Sequence, residues 1–270
     1  MCYNSFGDSM NRNQIEKIAQ TPEDKLLLAK IWDKIHSGIR KNITANTCFL
    51  SPRELELSRY LFGQIDGLTA FGGYEGAERQ MLVYLPEYLD ESSLLGADAP
   101  LVCLRASFYE DRALTHRDLL GALMGAGIAR ETVGDICVGA GSCDFFVTTQ
   151  IAPFILQNLT AAGRTPLHLN RIELSDVSVP EPETKQIADT LASLRLDSII
   201  SSGFRIARSQ AAQYILSGKA AINGLPCEKP DKAISEGATV SVRGLGKMKL
   251  RSVNGQTKKG RISVVIDRYV

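Results

Sequence analysis

The chain has 270 residues, 31 Lys plus Arg against 30 Asp plus Glu, 44% hydrophobic and 23% charged, which is the profile of ordinary globular folding over two or three domains. No window of about 18 apolar residues is present, and Met1-Cys2-Tyr3-Asn4-Ser5 opens no basic stretch with an apolar core, so neither a transmembrane helix nor a secretory signal is expected. Six cysteines without a Cys-x-x-Cys pair, and only three histidines, argue against structural zinc and for reduced thiols in the cytoplasm, with no metal or cofactor expected.

Organised sequence begins only after Met10, which makes Met10 a candidate start beside Met1. Thr21-Pro22-Glu23-Asp24 combines a cap residue, Pro at the first helical position and acid in the first turn. The helix it opens runs through Leu26, Leu27, Ala29, Ile31, Trp32 and Ile35, with His36 on a polar end as a surface residue. Ser51-Pro52-Arg53-Glu54 is a capping box before Leu55, Leu57, Tyr60 and Leu61. Residues 1–67 therefore read as a helical region without a catalytic constellation.

The rhythm then changes. Gln80 to Leu85 reads as a strand, and Leu101 to Phe108 as another. Thr115 caps a helix through Leu119, Leu120, Leu123 and Met124 that stops at Gly125-Ala126-Gly127. Asp135 to Val138 and Cys143 to Val147 form a hairpin across Gly139-Ala140-Gly141-Ser142, in which Gly139-x-Gly141 is a turn rather than a phosphate loop. A helix through Ile151, Phe154, Ile155 and Leu159 ends at Gly163, and a last strand covers about Pro166 to Leu174. From Leu101 the order is β-α-β-β-α-β, the ferredoxin-like arrangement of RNA-recognition modules and of many unrelated proteins. Residues 68–180 are read as this domain. Phe145 and Phe146 lie on its third strand, where such modules stack bases. Strand alternation leaves at most one of them exposed, and core packing is expected for both.

Two further stretches stand out. Gly72-Gly73-Tyr74-Glu75-Gly76-Ala77-Glu78-Arg79 sets three glycines around an exposed-type Tyr, two acids and an Arg. Thr115-His116-Arg117-Asp118 opens a helix, with Arg130-Glu131-Thr132-Val133-Gly134-Asp135 downstream. A second binding surface is expected around Tyr74, Arg79, His116 and Arg117.

The last third is the most organised. Ile199, Ile200, Phe204 and Ile206 line a short helix and its exit, and Ala211, Ala212, Ile215 and Leu216 give a second helix an apolar face before Gly218. Asn223-Gly224 between apolar runs signals a hairpin, and Val240, Val242 and Leu250 alternate with polar residues as half-buried strands do. From Glu181 onward there are 15 basic against 8 acidic residues, a net +7; residues 1–180 carry 16 against 22, a net −6. Between Arg243 and Arg261 there are seven basic residues and no acid. Such a face attracts a phosphate backbone and releases counterions.

Arg195-Leu196-Asp197, Arg208-Ser209, Asn223-Gly224 and Arg243-Gly244-Leu245-Gly246-Lys247, in this order, resemble the S-four (alpha-L) RNA-binding domain, here over residues 188–267. Phe71 to Pro86, Leu114 to Leu174 and Leu194 to Ile266 together resemble the YlmH family, bacterial proteins with a terminal S-four domain. The fold implied is α+β: an N-terminal helical segment, a ferredoxin-like middle domain that the family uses for RNA, and the S-four domain. The function implied is non-enzymatic RNA binding at the large ribosomal subunit, on rRNA or tRNA, in ribosome rescue or quality control, with a further family link to cell division.

Carried over by position, the family's Ser-Arg becomes Ala207-Arg208, which loses a hydroxyl and keeps the charge, and its Arg-Gly-x-Gly-Arg turn ends in Lys247, which cannot make bidentate phosphate contacts. The expected RNA contacts are Arg195, Arg205, Arg208, Ser209, Lys219, Arg243, Lys247, Lys249 and Arg251, flanked by Lys258, Lys259 and Arg261. Asp197 is expected as a helix-start residue, because a carboxylate repels phosphate. Two alternatives stay open: an RNA-modifying enzyme using the S-four domain as a handle, with Asp118 and Asp135 as the acids to test, and a division-associated factor with a protein partner on the acidic first 180 residues.

Overall fold

The computed structural model describes residues 14–96, 99–109, 114–179, 183–257 and 260–269. Met1 and Met10 lie outside these. The chain divides into two compact units, Met1–Pro180 and Glu181–Val270.

In the first unit, α1 (Pro22–Lys41) and α2 (Pro52–Phe62) each open on a complete capping box, Thr21 with Asp24 and Ser51 with Glu54, as their sequences dictate. Asp24 also accepts from both guanidinium nitrogens of Arg53, at 2.6 and 2.7 Å, which ties the start of α1 to α2. The buried side of α1 is Leu28, Ile31 and Ile35, while Leu26 is 65% exposed, and on α2 Tyr60 is 58% exposed. Both therefore belong to solvent faces and not to the apolar stripes expected of them. His36 stacks on Trp32 with ring centroids 4.9 Å apart.

A small antiparallel sheet follows, with β1 (Ala45–Asn46), β2 (Leu68–Phe71) and β3 (Met81–Tyr84) in the order β1-β3-β2. The larger sheet contains β4 (Leu101–Ser107), β5 (Val133–Val138), β6 (Ser142–Thr148) and β9 (His168–Ile172), all antiparallel, in the order β5-β6-β4-β9. Between its strands run α3 (His116–Gly125) and α4 (Ala152–Asn158). Helix α4 ends at Asn158, short of Gly163, because residues 159–166 turn instead into a hairpin of β7 (Ala161–Ala162) and β8 (Thr165–Pro166), with Gly163 left-handed in the turn.

Both faces of the four-stranded sheet are covered. Phe145 packs with Leu104, Leu119, Leu123 and Ile155 on the side of α3 and α4. Phe146 packs on the other side with its β4 neighbour Cys103 and with Phe49, Met81 and Val83, residues of the smaller sheet and its approach. Neither ring is exposed, and each contributes roughly 2–3 kcal/mol of apolar burial. An ion pair links the two central strands: Arg105 of β4 donates to both oxygens of the buried Asp144 of β6 at 2.6 and 2.7 Å, and Asp144 also accepts from the Ser178 amide.

In the second unit, β10 (Thr184–Leu191), β11 (Ala220–Ile222), β12 (Leu225–Pro226), β13 (Thr239–Val242), β14 (Gly246–Gln256) and β15 (Ile262–Tyr269) form one antiparallel sheet, ordered β10-β15-β14-β13-β11-β12. Helices α5 (Leu196–Phe204) and α6 (Arg208–Leu216) lie on one face. Leu196, Ile199, Ile200, Ala211 and Ile215 interlock there with Val240, Met248, Leu250, Val264 and Ile266. A Cβ at Gly203 would stand 2.4 Å from the Met248 sulfur, so glycine sets how closely α5 approaches β14. Leu216 is 64% exposed, because α6 buries only Ala211 and Ile215. Asn223 and Gly224 turn the β11–β12 hairpin with φ of 49° and 80°.

Candidate nucleic-acid interface

The organising group of the second unit is a carboxylate. Asp197, in the first turn of α5, is 5% exposed. It accepts from Arg195 at 3.1 and 3.2 Å and from Arg208 at 3.1 Å. Burial works against its charge, but the hydrogen bonds from Arg195 and Arg208 win, and its carboxyl is held below the usual range. The two guanidiniums keep 40% and 52% of their side chains in solvent. Asp197 is thus both a helix-start residue and the clamp that presents two arginines.

The remaining cations fall into groups. Arg205, at the end of α5, lines an open cleft together with Arg208 and Arg261. Arg261 is anchored on β10, where its guanidinium donates to the carbonyl and hydroxyl of Thr190. Ser209 is exposed in the first turn of α6. Lys219 and Arg243 meet beside β11 and β13, where the Arg243 amide donates to the Lys219 carbonyl at 2.9 Å, and the Lys219 ammonium lies 5.5 Å from the Tyr214 ring. Met248 and Leu250 point into the core, so alternation puts Lys247, Lys249 and Arg251 on the sheet face away from the helices. Lys247 sits 5.1 Å from the Tyr269 ring, and Arg251 pairs with Asp267 at 3.5 Å. The basic residues that read as one run in sequence are therefore divided between the helix side and the open sheet side. Lys258 and Lys259 lie outside the described residues.

In the first unit, Tyr74 and Arg79 form a clasp. The Tyr74 hydroxyl donates to Asp135 at 2.8 Å, and its ring stacks on Phe146 at 5.2 Å. Burial, then the Asp135 bond, pushes the Tyr74 hydroxyl well above its ordinary pKa. Asp135 also accepts from the Glu78 and Arg79 amides, and the Arg79 guanidinium donates to the carbonyls of Val133 and Phe49 at 3.0 Å. Gly73 makes this possible: it has φ of 94°, and a Cβ there would stand 2.5 Å from the Phe146 ring. His116 and Arg117 are exposed in the first turn of α3, and no contact among the described residues joins them to the clasp. Asp118 closes the Thr115 capping box.

A family model described as "Putative RNA-binding domain in YlmH" matches residues 108–176, from the end of β4 past β9. Ribosome-associated protein quality control protein P2 of Bacillus subtilis (strain 168) is 35% identical over 225 residues, 82% of this chain and 86% of that protein. The chain belongs to the YlmH family. A solved structure, the cell division protein ylmH from Streptococcus pneumoniae, covers 60% of this chain and 98% of its own at 19% identity, with a TM-score of 0.49. In this member of the YlmH family the net positive charge belongs to residues 181–270, outside the span that the family model matches.

Sequence reading missed the cleft wall formed by Asp189 and Thr190 of β10 with Ser201 and Ser202 of α5. It also missed Arg268, whose guanidinium lies 5.1 Å from the Phe204 ring. Asp189 interrupts the inward side of β10 between Ile187 and Leu191, which hides the strand's alternation; its partner there is the Ser202 hydroxyl, at 2.6 Å.

Proposed function

We propose that this chain is a non-enzymatic RNA-binding protein acting on cytoplasmic ribosomes in a quality-control or rescue role. In this reading the second unit is an S-four module, within residues 188–267, that contacts large-subunit rRNA, tRNA or both. The observation that carries the reading is the Asp197 clamp: one buried carboxylate fixes two half-exposed arginines at the starts of neighbouring helices. Pre-ordered guanidiniums suit bidentate phosphate contacts, and they recognise backbone and shape more than sequence. The name of the B. subtilis relative, a ribosome-associated quality control protein, supports the same reading.

Residues 68–180 make a ferredoxin-like RNA-binding domain in this account, and the strand order second-third-first-fourth of its sheet supports that. Both sheet faces are covered, so its RNA contacts use helix ends and strand edges, such as the exposed His116 and Arg117, in place of base stacking on Phe145 or Phe146. Asp118 and Asp135 have structural duties in a cap and a clasp, which supports a role without catalysis.

Ultraviolet crosslinking of the full chain in cells, followed by sequencing of the attached RNA, tests the reading. Enrichment of large-subunit rRNA or tRNA is expected. Crosslinks spread over messenger RNA in proportion to abundance would contradict it.

A further inference from the structure

Helix α5 ends on a residue that backbone preference disfavours. Arg205 adopts φ 55° and ψ 46°, the left-handed region. The other described non-glycine residues with positive φ are Asn42 and Asn223, and asparagine tolerates that conformation through local side-chain bonding. Glycine is the common choice at this place in a helix end. Within the fold nothing accounts for arginine instead, because its guanidinium makes no hydrogen bond or ion pair with any described residue. An observed backbone outlier of this kind points to function.

The cleft that Arg205 lines supplies the context. Its volume is about 390 Å³, and its wall includes Asp189, Ser201, Ser202, Arg208 and Arg261. That lies at the lower end of the roughly 300–1,000 Å³ of small-ligand pockets, the scale of one nucleotide and not of a duplex groove. The wall is already oriented. Arg208 is held by Asp197, Arg261 by Thr190, the Ser201 hydroxyl by the Ile206 carbonyl at 2.7 Å, and Ser202 by Asp189. Three guanidiniums favour a phosphate. A carboxylate on the same wall opposes a free multivalent anion and has lone pairs left to accept from a hydroxyl. Phosphate and hydroxyl on one small unit describe a ribonucleotide.

We propose that this cleft seats one ribonucleotide of the bound RNA, with its backbone phosphate on Arg205 beside Arg208 and Arg261 and its ribose 2′-hydroxyl donating to Asp189. The proposal rests on the RNA-binding reading above and adds the seat and the discrimination of RNA from DNA.

The test uses the full chain, a fluorescein-labelled RNA hairpin and its all-deoxy counterpart, read by anisotropy at two salt concentrations. Arg205→Gly removes the guanidinium and suits the left-handed backbone, so it separates binding from folding. Its melting temperature should equal or exceed that of the parent, while RNA affinity falls on the order of tenfold. The salt slope should drop by about one. Asp189→Asn should narrow the preference for RNA over DNA. Parent affinity in Arg205→Gly overturns this proposal and leaves the RNA-binding reading standing. A parent chain that binds no RNA overturns both. Equal binding of the RNA and deoxy hairpins by the parent overturns the ribose contact. Selective displacement of RNA by inorganic phosphate, beyond chloride at matched ionic strength, would reassign the cleft to a free anion and overturn it.

Discussion

Arg208 reaches back eleven residues to Asp197, and the two meet at 3.1 Å across the starts of α5 and α6. The same carboxylate holds Arg195, so a single buried acid sets the position of two cations. Asp197→Asn raises the net charge by one, which in a simple electrostatic account strengthens RNA binding. The clamp predicts the opposite, because the neutral amide releases both guanidiniums from a fixed geometry. A several-fold loss of RNA affinity is expected, with a stability loss of about 1 kcal/mol, small because both arginines are substantially solvated. Filter binding and urea denaturation of the variant measure the two effects. Tighter binding would remove the clamp from the account.

Gly73 and Phe146 define a second test. With φ of 94° and only 2.5 Å between the position a Cβ would take and the ring, Gly73→Ala must shift either the loop or the core. A loss of about 2–4 kcal/mol is expected for the first unit. The loss should appear in thermal melts, while the RNA affinity of the still-folded protein at low temperature stays that of the parent.

Acid provides a third. The Arg53 guanidinium beside Asp24 holds its carboxyl at about 2, against an ordinary value of 3.8. A depressed folded-state pKa gives stability that is fully present above the unfolded value and lost as pH falls through the folded one. The contribution, about 2 kcal/mol at most, should therefore be constant above about pH 4 and disappear between about pH 4 and pH 2. Urea denaturation of the parent and Asp24→Asn across this range measures it. A stability gap that stays unchanged down to about pH 2 would contradict the assignment.

The local signals in the sequence were strong where one residue type meets one backbone requirement. Thr21, Ser51 and Thr115 each cap the helix they precede, and Asn223-Gly224 turns the hairpin it marks. The division of Phe145 and Phe146 between two faces followed from alternation, and their burial is observed. What covers Phe146 was not legible, because β2 and β3 reach it only through tertiary packing. Strand β10 was hidden by Asp189, an exposed acid between the buried Ile187 and Leu191 whose partner lies on α5. The basic run from Arg243 to Arg261 looked like one surface because sequence order does not show that Lys247, Lys249 and Arg251 share one face of β14 while Arg261 turns to the cleft beside α5. Tyr74 looked like a surface residue because its partner, Asp135, is 61 residues away.

Sedimentation of the full chain with intact ribosomes, separated subunits and free tRNA at two salt concentrations tests the central claim most directly, with Arg195→Ala/Arg208→Ala run in parallel. The account predicts migration with the large subunit that weakens with salt and is lost in the double variant, whose circular dichroism at low temperature stays that of the parent although its melting temperature falls, because buried Asp197 loses both arginines. With about five phosphate contacts, affinity should fall on the order of 10²–10³-fold between low and moderate salt. Association with no ribosomal particle, or association that survives loss of both arginines, would contradict it.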